Sequence, residues 1–137
     1  MAKKFRGVEI IEQIDEALDK GMARFLILTQ GKLSRNSPID SGRAASSWFI
    51  GIGVPNRDVP SERPKGAAQV SVTQPSQKIT METDAYISSN LDYSERICFD
   101  PKYSKGGRGG AGWFTKIANG LDKDAEKAFS YFLKKVK

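Results

Sequence analysis

Two amphipathic periodicities stand at opposite ends of the sequence, and they limit the folds open to whatever lies between. From about residue 8 to 33, Ile10, Ile11, Ile14, Leu18, Met22, Phe25, Leu26 and Leu28 recur at spacings of three and four, lining one face of a long helix. Acids come first (Glu9, Glu12, Asp15, Glu16, Asp19) and bases later (Lys20, Arg24, Lys32), the order that the helix dipole favours. Gly21 is discordant, costing about 1 kcal/mol against alanine in a helix interior, a cost that close packing would explain. A second helical pattern runs over 113–136 through Trp113, Ile117, Leu121, Ala125, Ala128, Phe132 and Val136, with lysines in its last turn and Gly120 as a point of division.

The residues between read differently. Pro38 biases Ser37 towards an extended backbone, and Asp40 or Ser41 is placed to cap a short helix through Ala45 or Ser47. Residues 48–52, WFIGI, predict a strand weakened by its glycine. Residues 53–68 hold Pro55, Pro60 and Pro64 and predict a long loop. Strands are expected at 68–73 and 78–88, joined by the turn-like QPSQ, because Ile79, Met81 and Thr83 alternate with polar residues. Residues 91–99, LDYSERICF, suit a helical turn running into a strand, and 100–112 form a second long, glycine-rich loop. The expectation is one domain over 1–137 of the α+β class. A small, mainly antiparallel sheet packs with the N-terminal and C-terminal helices.

The same residues restrict the chemistry. The sequence has no histidine and a single cysteine, Cys98. That excludes a His/Cys zinc or iron–sulfur site and an intramolecular disulfide within one chain, along with any mechanism that needs imidazole. No segment approaches the roughly 18 consecutive apolar residues of a membrane span. Synthesis in the cytoplasm is the expectation. The net charge of +6 suits an acidic protein surface or a nucleic acid.

Several motifs invite a chemical reading. Residues 107–112, GRGGAG, match G-x-G-x-x-G, but a dinucleotide site needs a βαβ unit around it, and the residues that follow read as one lysine-rich helix. Arg108-Gly109-Gly110 is a lone RGG without interleaved aromatics. Asp40, Glu82, Asp84 and Asp100 would make a nuclease site only by converging on one metal ion. No catalytic, cofactor-binding or metal-binding residue is assigned.

Pro38-Ile39-Asp40-Ser41-Gly42-Arg43, followed by Ala45-Ser46-Ser47-Trp48, resembles the Pro-Val-Asp-Thr-Gly-x-Leu-x-x-Ser-Trp signature of tail-component proteins of tailed bacteriophages. That family includes tail completion and neck (head–tail joining) proteins. About forty residues on, Tyr86-Ile87-Ser88-Ser89-Asn90-Leu91, with Tyr93, Ser94, Arg96 and Ile97, is similar to the family's second signature. The resemblance spans residues 30–115. It departs at Cys98-Phe99-Asp100, where the family has Glu-Phe-Gly, and in the glycine-rich segment that follows.

The resemblance implies a non-enzymatic virion protein without cofactors, forming a homo-oligomeric ring, with a hexamer favoured, between tail tube and head connector. Asp40 and Gly42 would then shape a turn that presents Arg43 to a neighbour. Arg57 and Arg63 on the first loop, and Lys102, Lys105 and Arg108 on the second, are the other candidate interface residues. Their partner would be an acidic protein ring in preference to DNA in the channel. The alternative is a small basic nucleic-acid-binding module. It calls for basic and aromatic residues on one sheet face, where these strands offer Thr, Ser, Glu and Asp. A metal-dependent nuclease ranks third.

Overall fold

The structure, a computed structural model, describes residues 7–38, 44–60, 74–75, 77–100, 102, 104–105 and 108–136. Helix α1 spans Gly7–Asn36 and is 30 residues long, so its axis runs about 45 Å. Strand β1 (Trp48–Ile52) pairs antiparallel with β2 (Ala85–Ser89), Trp48 opposite Ser89 and Ile52 opposite Ala85. Helix α2 (Ser94–Phe99), a two-residue ladder of β3 (Ser104–Lys105) with β4 (Arg108–Gly109), helix α3 (Trp113–Asn119) and helix α4 (Leu121–Leu133) follow. The architecture is α+β, with a small antiparallel sheet lying on the long N-terminal helix.

Alternation along β1 sends Trp48 and Ile50 to one face and Phe49 and Gly51 to the other, yet all four are buried. On the α1 side Ile50 packs with Leu26 and Ile79. Towards the far end of α1, Leu33 and Trp48 join Leu91, Ile97, Cys98 and Trp113 in a second cluster. The opposite face of β1 is covered by its own loop. A Cβ on Gly51 would lie 2.5 Å from the Asn56 backbone nitrogen, so the loop can fold back only over a glycine.

Helix α4 runs antiparallel along α1. Lys32 pairs with Asp124 at 2.5 Å near the start of α4, and Phe132 near its end and Val136 beyond it line one small pocket with Gln13 and Ala17. Gly21 sits at the crossing, where an added Cβ would be 2.5 Å from Phe129 Cδ1 and 3.1 Å from its Cα.

The division expected at Gly120 is present, and the C-terminal pattern is two helices: Gly120 ends α3 with its N–H on the Ile117 carbonyl, and its own carbonyl accepts from Asp124. Several other expectations need correction. Residues 94–99 form helix α2, where a turn running into a strand was expected. Of the strand expected at 78–88, only Ala85–Ser89 extends β1. The ladder closes where Gly53 N–H meets the Asp84 carbonyl, and Met81 N–H turns instead to the Asp19 carboxylate at 2.9 Å. Residues 44–46 form a turn, closed by Ser47 N–H on the Ala44 carbonyl, and the earlier part of the short helix expected there lies outside the described residues. The glycine-rich loop carries the β3–β4 ladder. The strand expected at 68–73 lies outside the described residues.

Ile10, Ile11, Ile14 and Leu28, counted above on one apolar face of the helix, are exposed. The first turns of α1 extend past the end of α4, so the apolar stripe continues with nothing among the described residues lying over it. The crossing itself yields a test. Gly21→Ala is expected to lower the unfolding free energy by about 1–3 kcal/mol through overpacking against Phe129, despite alanine's better helix propensity. A more stable Gly21→Ala protein in urea denaturation would contradict this packing.

Candidate assembly interface

Ser37 follows the last residue of α1 and directly precedes the first of the two stretches quoted above. Its N–H and its hydroxyl both donate to the Leu33 carbonyl, at 3.0 and 2.6 Å. The same hydroxyl oxygen accepts the Trp48 indole N–H at 2.7 Å. One helical turn earlier Gln30, fully buried, donates to the Trp48 carbonyl at 2.8 Å and accepts from Gln74. Three polar groups that would each be costly to bury alone therefore satisfy one another around one tryptophan.

The second stretch meets the first directly. The Ser47 and Ser89 hydroxyls share a hydrogen bond of 2.7 Å beside the Trp48–Ser89 pair. Past the strand, Asn90 Nδ2 donates to the carbonyls of Asn56 and Asp58 at 2.7 and 3.0 Å, and Ser88 Oγ donates to the same Asn56 carbonyl. Asn56 Oδ1 in turn accepts the Asp58 N–H. The loop from 53 to 60 is thereby tied to β2, and Arg57 stands exposed at its crest between Val54 and Val59, both exposed.

Of the residues proposed from sequence, Asp40, Gly42, Arg43 and Arg63 lie outside the described residues. Lys102 is exposed, on a turn where its N–H meets the Asp100 carboxylate at 2.9 Å. Lys105 pairs with Arg108 across β3 and β4. Arg108 is half-buried and points a guanidinium N–H at the Ser34 carbonyl, at 3.5 Å, in the last turn of α1. A cation there complements the helix dipole, so Arg108 serves its own chain in that contact. Arg57 and Lys102 share no element; the first belongs to the β1–β2 edge and the second to the segment after α2.

Beside the glycine segment the aromatic rings gather. Trp48 stacks on Phe114 with centroids 5.9 Å apart, Trp113 meets Trp48 edge-on, and Trp113 Nε1 donates to the Ile97 carbonyl. Phe99 packs edge-on against Phe114 while remaining 62% exposed. Cys98 lies beneath, its thiol pushed up to about 11 by burial, so it stays protonated and is a poor nucleophile at neutral pH. Among the described residues no three acids or cysteines come together to hold a metal ion. Among them too, no helix is long and apolar enough to cross a membrane. What the surface offers is exposed cations next to exposed apolar side chains, a binding chemistry.

No protein-family model matches the chain, and no curated protein or solved structure is significantly similar to it.

Gln30, Ser88 and Asn90 escaped the sequence reading as organising groups. A glutamine on the sheet-facing side of α1 was the available signal for Gln30. The partners of Ser88 and Asn90 are backbone carbonyls, which leave no mark in a sequence. Asn90→Ala is expected to raise the rate of tryptic cleavage after Arg57 about fivefold or more, because the loop loses two of the bonds that hold it closed. An unchanged cleavage rate in the folded protein would mean that the Asn90 clamp does not hold the loop.

Proposed function

We propose that this chain is a structural virion protein of a tailed bacteriophage, acting in a ring at the head–tail junction that joins the tail tube to the head connector. The observation that carries the reading is the meeting of its two signature-like stretches. Trp48 and Ser89, forty-one residues apart in sequence, are register partners, and Ser47 and Ser89 share a hydrogen bond. Two resemblances that could have been scattered are one structural unit.

The surface around that unit supports an assembly role. The Asn90 clamp holds the loop that carries exposed Arg57, Val54 and Val59, and Phe99 at the end of α2 is exposed as well. A cyclic ring needs two different complementary patches on each subunit. The reading calls for no catalysis and no cofactor. It places the protein in the virion after synthesis in the host cytoplasm, with a hexamer as the favoured ring. The second reading, a basic nucleic-acid-binding module, draws on Lys116, Lys123 and Lys127, which line one groove between α3 and α4.

Disrupting the gene in a phage or prophage genome that carries it tests the role. Electron microscopy of the lysate is expected to show DNA-filled heads and finished tails lying separate, with infectious titre lost and restored by supplying the gene in trans. Joined, infectious particles at normal titre would contradict the proposal. Recovery of the protein on DNA from such particles would favour the second reading.

A further inference from the structure

The N-terminal end of α1 combines two features that rarely go unused. Val8 is 61% and Ile11 59% exposed, and Ile10 and Ile14 are exposed beside them, a contiguous apolar stripe at helical spacing. From residue 8 to 19 every ionisable side chain is acidic, with Glu9, Glu12 and Asp15 all exposed around that stripe.

A surface of the opposite character lies further along the same helix. Between α1 and α4 runs a groove of about 250 Å³. Its apolar floor is Phe25, Leu28 and Ala128, and Leu28 is 47% exposed there. Arg24, Arg35 and Lys127 stand along its rim, and Arg24 is fixed over the Tyr131 ring at 4.4 Å from its centroid. Lys32 also lines the groove, with its charge matched by Asp124.

We propose that the apolar, acidic end of α1 seats in this basic groove of a second copy of the chain. Charge complementarity selects the occupant: a helix end carrying only acids meets a rim carrying an excess of bases, with apolar side chains beneath both. The end cannot reach the groove of its own chain. Residues 8–15 and 24–35 belong to one continuous helix, and their centres lie about 27 Å apart along its axis. The contact is therefore between copies and head to tail. Each copy uses two different surfaces, which generates rings or filaments and never a closed two-fold pair. The inference deepens the ring reading, taking from it that copies of the chain meet one another, and it names the surfaces.

The test uses two full-length variants and sedimentation velocity. One carries Glu9→Lys, Glu12→Lys and Asp15→Lys; the other carries Arg24→Glu, Arg35→Glu and Lys127→Glu. Wild-type protein is expected to associate as its concentration rises. Each variant alone, with like charges now facing one another, is expected to associate at least about tenfold more weakly. An equimolar mixture pairs each reversed surface with its reversed complement and each native surface with its native one, so the mixture is expected to regain association. Recovery on mixing also shows that both variants are folded.

Variants that associate as the wild type does would overturn the assignment of surfaces and leave a ring standing. A mixture that stays monomeric would overturn it as well. A wild type that is monomeric at its highest soluble concentration would assign the helix end to a different protein and contradict the inference. The particle phenotype of the disrupted gene is read separately from all three.

Discussion

Trp48 is the side chain on which the rest of the molecule converges. Its indole N–H donates to Ser37, its carbonyl accepts from Gln30, and its ring lies among Leu33, Leu91, Ile97 and Trp113 with Phe114 stacked upon it. One residue thus joins the end of α1, the start of β1, the segment around α2 and the start of α3. The hydrogen bonds decide where it can sit. An indole N–H buried without a partner costs about 1–3 kcal/mol, so alternative packings that leave Ser37 behind are disfavoured. Ser37 and Trp48 together are therefore a structural joint between the end of α1 and the start of β1.

From this joint two surfaces follow in different ways. The loop after β1 is held in place through Ser88 and Asn90, whose own position depends on β2 pairing with the strand that Trp48 begins. Its exposed Arg57 stands on a loop held by side-chain hydrogen bonds to its backbone carbonyls. The end of α1 is different, because it stands clear only through length: the helix runs on where α4 has stopped. An exposed isoleucine pair on an acidic helix is a poor surface for a solitary protein and a good one for a protein that meets copies of itself.

The sequence made the helices legible because a period of three and four residues persists over many turns, as did Gly21 and Gly120, whose packing and break have local causes. Strand ends were less legible. Ile79, Met81 and Thr83 alternate as a strand should, but β1 has only five residues to pair with, and the carboxylate of Asp19 offers Met81 a different partner. Periodicity also overstated burial: it placed Ile10, Ile11 and Ile14 on the right face of α1 without revealing that the covering helix is too short. Of the candidate interface residues, Arg57 lies exposed on the loop after β1. Arg108 turns to the carboxyl end of α1, a contact between residues far apart in sequence that no local pattern encodes.

The claim beneath all of this is that Ser37 and Trp48 act as one unit. A double-mutant cycle measures it directly, with urea unfolding of wild type, Ser37→Ala, Trp48→Phe and the combined variant. If the indole–hydroxyl bond closes the joint, the two substitutions are expected to couple by about 1 kcal/mol or more, the double variant losing less than the sum of the single losses. Losses that simply add would show that the two residues contribute independently, and would contradict the account.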